Sequence, residues 1–187
     1  GTEEQILKGM YLLDEGAKKT PRVNLLGSGT ILRESLAARK LLEADWGVAA
    51  NVWSCPSFNE LARDGQDCER WNLLHPTDKA RVPFVAQQLD KHAGPVIAST
   101  DYMRNYADQV REYVQAAGRR YVVLGTDGFG RSDYRVKLRR FFEVDRYYVT
   151  VAALKALADE GAIKPALVAE AIAKYGLDTE RAAPWTV

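Results

Sequence analysis

Residues 121–133 read Tyr-Val-Val-Leu-Gly-Thr-Asp-Gly-Phe-Gly-Arg-Ser-Asp. Tyr121 to Leu124 is a short apolar run of good β-formers. Gly125, Gly128 and Gly130 then break the chain into a loop, and Ser132-Asp133 offers side-chain oxygens able to cap a following helix. Strand, glycine loop and capped helix make up an α/β anion site. They equally make up a close-packed corner in which glycine supplies a positive φ. These residues leave both readings open.

The same layout recurs upstream. Val23–Leu26 is an apolar strand followed by Gly27-Ser28-Gly29-Thr30, where Ser28 or Thr30 is expected to cap a helix. That helix would turn Ile31, Leu32, Leu36, Ala38 and Leu42 inward, with Arg33, Glu34, Arg39 and Lys40 outside, and end at Trp46-Gly47. Val48–Trp53 and Val96–Ser99 read as further strands. Gly9–Asp14 reads as another, although 6–13 also fits a helix. Ser57 is placed to cap a short helix through Leu61, and Arg63–Pro76 reads as a long polar irregular loop. Val82–Leu89 and Met103–Val114 are helical in pattern, with Gly118 closing the second.

Downstream of the opening loop the chain reads as helix alone. The expected helices are Asp133–Phe142, one capped by Asp145 and ending before Gly161, and one with Pro165 in its first turn ending at Gly176. Continuous apolar strands alternating with helices predict a parallel sheet covered on both faces. With no interior linker in view, 1–187 reads as a single domain.

The net charge of +1 gives no broad electrostatic reason to expect nucleic acid or an anionic membrane. No apolar run is long enough for a membrane span. The first residues are neither basic nor apolar, so no signal peptide is expected, and the missing initiator Met suggests a processed chain or a fragment. Cys55 and Cys68 lack metal spacing and read as idle thiols of a reducing cytosol, one disulfide being the alternative.

No reactive set assembles from the letters. Gly27-Ser28-Gly29-Thr30 is the best phosphate cradle, but it lacks both the third glycine of a dinucleotide fingerprint and the lysine of a P-loop. His75 and His92 have no second ligand at metal spacing. Asp64, Asp67 and Glu69 alternate with Arg63 and Arg70 and do not match a calcium loop. Ser54-Cys55-Pro56-Ser57 has no base nearby in sequence, and Ser28 is not on a hydrolase elbow. Phe129, Tyr134, Phe141, Phe142, Tyr147, Tyr148 and Trp185 crowd the last third, divided between core and a partner surface.

Certain stretches point to a family. Ile6-Leu7-Lys8-Gly9-Met10-Tyr11, Leu25-Leu26-Gly27-Ser28-Gly29, Ser57-Phe58 and Glu60 to Asn72 are four of them. Ala98 to Met103, Gly125 to Asp133 and Phe142-Glu143-Val144-Asp145 are the others. On these the whole chain resembles the C-terminal domain of the homodimeric bacterial pyruvate dehydrogenase components, thiamine-diphosphate enzymes of the transketolase superfamily. The resemblance implies a three-layer α/β/α sandwich with a mixed, mostly parallel five-stranded sheet and an antiparallel edge strand, the first. It implies an oxidoreductase that decarboxylates pyruvate and reductively acetylates a lipoyl group, linking glycolysis to acetyl-CoA in the cytoplasm. Thiamine diphosphate, magnesium and the reacting histidines would belong to two preceding domains. Here the expectation is therefore no catalytic, cofactor-binding or metal residue, and an inactive fragment. Expected partners are the second subunit, the preceding domains and the dihydrolipoyl acyltransferase core. The competing expectation is a module whose glycine corners bind an anion or a regulator.

Overall fold

The computed structural model describes residues 2–116 and 118–187. A short helix α1 (Glu3–Leu7) leads into β1 (Tyr11–Asp14), so the ambiguous 6–13 segment divides between helix and strand. Then come β2 (Arg22–Gly27), α2 (Leu32–Trp46), β3 (Ala49–Ser54), α3 (Phe58–Leu74), α4 (Phe84–Leu89) and β4 (Val96–Ser99). The chain continues through α5 (Arg104–Asp108), α6 (Arg111–Gln115), β5 (Tyr121–Leu124), α7 (Arg135–Phe141), α8 (Arg146–Asp159) and α9 (Pro165–Lys174). The sheet order is β1-β3-β2-β4-β5; β1 runs antiparallel to β3 at the edge and the other pairings are parallel.

Alternate residues along each strand enter two separate cores, as a sheet with two covered faces requires. Leu26, Trp53, Val96, Ala98, Tyr121 and Val123 join Phe58, Leu61, Val85, Leu89, Val110 and Tyr113 on one face. Val23, Leu25, Val52, Ile97 and Val122 join Leu42, Val149, Leu154, Leu157 and Val168 on the other. The architecture is thus the three-layer mixed sandwich with an antiparallel edge strand.

Three expectations fail here. Arg63–Pro76 is not a loop, because α3 runs on to Leu74. Phe58, Leu61, Ala62, Gly65 and Cys68 recur every three or four residues on its buried face, and the charged residues between them lie outside. Gly65, which as a letter suggests a break, is where the Tyr113 ring packs in place of a side chain. The segment expected as one helix over Met103–Val114 is two, α5 and α6. Glu34, expected outside, is 3% exposed.

Several local expectations match. Ser57 accepts a hydrogen bond from the Glu60 amide and caps α3. Asp145 accepts from the amides of Tyr147 and Tyr148 and caps α8. Gly47 ends α2 in the left-handed conformation. Cys55 and Cys68 are free and buried.

Candidate functional site

Open parallel sheets bind ligands beyond the carboxyl ends of their strands, where successive crossovers diverge. In this order the point lies between β2 and its neighbour β4. The loop after β2 is Ser28-Gly29-Thr30, and the loop after β4 is Thr100-Asp101-Tyr102. Asp101 Oδ2 accepts hydrogen bonds from the Thr30 amide at 2.9 Å and the Thr30 hydroxyl at 3.1 Å. Gly29 has φ +57°, and a Cβ there would overlap the Asp101 carboxylate. The phosphate cradle expected from the sequence is therefore filled by a carboxylate of the protein itself. Neither Ser28 nor Thr30 caps the helix with its side chain; Asp101 replaces them. Behind this plug the Ser28 amide donates to the Ser99 carbonyl at 3.0 Å, and the Ser35 and Ser99 hydroxyls lie 2.9 Å apart.

The second corner follows β5. The Thr126 amide donates to the Tyr102 carbonyl at 2.9 Å and its hydroxyl to the Asp101 carbonyl at 3.2 Å. Asp127 accepts from Arg104 Nε at 2.8 Å. Gly125 is needed for close approach, since a Cβ would sit 2.7 Å from the Arg104 nitrogen. Gly128 has φ +105°, and a Cβ would lie 2.6 Å from the Pro184 carbonyl oxygen. Gly130 has neither constraint: its φ is not positive and a Cβ there would meet open space. Ser132 caps nothing: α7 starts at Arg135 with Tyr134 as its N-cap, and the Tyr134 amide donates to Asp133 Oδ1 at 2.7 Å. Beyond Gly128 the loop faces solvent, and Phe129 and Tyr134 are each 79% exposed.

Between the corners lies a cavity of about 340 Å³ whose walls include Thr30, Asp101, Thr126, Arg131, Arg135 and Arg139. Arg139 is committed, bonding Glu34 Oε1 at 2.8 Å. Arg146 holds the other oxygen of Glu34 through its amide at 2.9 Å and its Nε at 3.0 Å. Burial acts to raise the Glu34 carboxyl, but the hydrogen bonds from Arg146 and the two guanidinium charges hold it below its ordinary range. This clasp ties α2, which follows the first corner, to α7 and α8, which follow the second. The sequence carried one signal for it: Glu34 falls in the 31, 34, 38 spacing of the buried stripe.

The other candidates stay apart. Burial pushes the Cys55 thiol well up, away from nucleophilic use. His75 stacks on Trp71, with Nδ1 2.8 Å from the Trp71 carbonyl oxygen, and His92 lies at the opposite end of the sheet beside Asn51. Asp64 accepts from the Phe84 amide at 2.5 Å, a helix-start role. Among the described residues no three His, Cys, Asp or Glu side chains are grouped as a metal would need. Among the described residues no helix is long and apolar enough to cross a membrane.

Residues 9–145 match the family model of the transketolase-like C-terminal domain. The chain is 61% identical over 189 aligned residues to the pyruvate dehydrogenase E1 component of Cupriavidus necator, covering 100% of this chain and 21% of that protein. It is 54% identical to the E1 component of Escherichia coli K12, covering 98% of this chain and 20% of that one. The chain thus spans about a fifth of the length of the curated relatives it matches. In fold it is similar to a transketolase from Pichia stipitis solved with a sedoheptulose phosphate. There the TM-score is 0.53 at 19% identity, over 84% of this chain and 19% of the transketolase. A transketolase from Campylobacter jejuni gives a TM-score of 0.51 at 23% identity over 80% of this chain and 19% of the other.

Proposed function

The chain belongs to the transketolase-like C-terminal domain family, and from that premise we propose that it is the C-terminal architectural domain of a cytoplasmic pyruvate dehydrogenase E1 component. Residues 1–187 act as one unit in this reading, since α8 and α9, beyond the family match, complete the core under β2, β3 and β4. The whole enzyme would decarboxylate pyruvate and reductively acetylate the lipoyl group of its acyltransferase partner. Thiamine diphosphate and magnesium would sit in the domains that precede this one. The residues here do not fit the diphosphate: at the first corner the Thr30 amide and hydroxyl are held by Asp101. No chemical step is therefore assigned to this chain.

The observation that supports an assembly role is the contrast within one rim. The crevice is closed by Asp101, while Phe129, Tyr134, Val136 and Trp185 stand exposed beside it. Large exposed rings at a rim suit contact with the preceding domains or the second subunit. Removal of this domain from the full-length enzyme tests the reading. The truncated protein should still bind cofactor but fall to monomer on dilution. A truncated dimer with full turnover would overturn it.

A further inference from the structure

The opposite end of the sheet is used by neither the corners nor the assembly reading. There a cavity of about 560 Å³ is lined by Lys18, Lys19, Arg22, Lys91 and His92, with Glu15 as its one carboxylate. The ion pairs among the described residues are made by other side chains. The back wall is fixed. Asn51, fully buried, donates from Nδ2 to Asn24 Oδ1 at 3.0 Å and lies 3.1 Å from His92 Nδ1. Its Oδ1 accepts from the Gly16 amide and from Arg22 Nη2, each at 3.1 Å. Arg22 Nε is buried without a partner. Because the Asn51 amide donates to Nδ1, the neutral His92 ring carries its proton on Nε2, which bonds to no described residue. Trp53 packs edge-on to that ring at 4.9 Å.

We propose that this cavity binds a small phosphate-bearing anion, with Arg22 and His92 as fixed donors and Lys18, Lys19 and Lys91 as the charge. Ammonium groups bind phosphate as point charges, and a phosphate group, with about −1.5 to −2 charge at neutral pH against −1 for a carboxylate, gains more from three of them. The fork of Arg22 is already partly tied to Asn51. Four cations facing one carboxylate also leave a positive field that only an anion relieves.

Calorimetric titration of the cofactor-saturated full-length enzyme with inorganic phosphate, at constant ionic strength, tests this. One saturable site is expected, weakened at least about tenfold in Lys19→Glu and in Lys91→Glu, with unfolding midpoints unchanged. Succinate and a hexaglutamate peptide serve as comparison ligands and should bind more weakly than phosphate. The proposal is overturned by the absence of saturable binding or by binding in the two variants that equals the parent's. It is also overturned if succinate or the peptide binds as tightly.

Discussion

Gly27-Ser28-Gly29-Thr30 and Gly125–Gly130 both follow a parallel strand and both precede a helix, yet the first is closed and the second stands open. The difference is long-range. Asp101, 71 residues along the chain from Thr30, supplies the anion that the first corner's amide wants. The second corner turns its aromatic tip to solvent. A glycine corner in sequence therefore says that a tight turn exists; what fills it is decided by a strand end elsewhere.

The largest effect should come from the clasp joining the two corners. Glu34→Gln leaves Arg139 facing a neutral amide in a buried site and should cost about 3 kcal/mol in urea unfolding at neutral pH. That is the low end for a broken buried pair, because Arg146 is partly exposed. The folded Glu34 carboxyl lies below its ordinary value of 4.5. Its contribution is therefore full above that value and lost as pH falls through the depressed folded one. The variant and parent should converge as pH falls below that depressed value. A gap that stays constant with pH would show that charge is not what Glu34 contributes.

Within the open corner the glycines should separate. Gly128→Val combines a positive φ with overlap on Pro184 and should cost about 2 kcal/mol or more. Gly130→Val meets open space and should stay within about 0.5 kcal/mol of the parent. Equal losses would mean the loop responds as a whole rather than through one residue.

At the closed corner, Asp101→Ala removes two hydrogen bonds and the anion at a helix start. The loss should be about 1 kcal/mol, modest because Asp101 is exposed. Added sulfate should restore stability in this variant more than in the parent, since it can occupy the freed amide. Equal salt responses would deny that Asp101 plugs an anion site. Smallest of all, Ser132→Ala should leave the unfolding midpoint within experimental error, because Ser132 is exposed and caps nothing.

Much of the frame was legible because local chemistry sets it. Val96–Ser99 and Tyr121–Leu124 begin and end as their apolar runs do, and Ser57, Asp145, Gly47 and Pro165 act where their side chains or backbone freedom place them. Where tertiary packing overrides local preference, the letters misled. Gly65 interrupts nothing because Tyr113 fills its space. Glu34 is inside because Arg139 and Arg146 meet it there. Ser132 sits one turn too early for a helix that starts at Arg135. The plug at the first corner was beyond local reading, since nothing near Thr30 names its partner.

The proposed architectural role is tested most directly in the full-length enzyme carrying Phe129→Ser and Tyr134→Ser together. Both rings are largely exposed here, so the domain itself should fold normally. Sedimentation on dilution and turnover per cofactor-bound site are measured on the same sample. The account predicts a dimer that dissociates at higher concentration than the parent, with turnover per remaining dimer site unchanged. An intact dimer whose turnover falls about a hundredfold, some 2.7 kcal/mol of lost transition-state stabilisation, would contradict it and place the open loop in the chemistry.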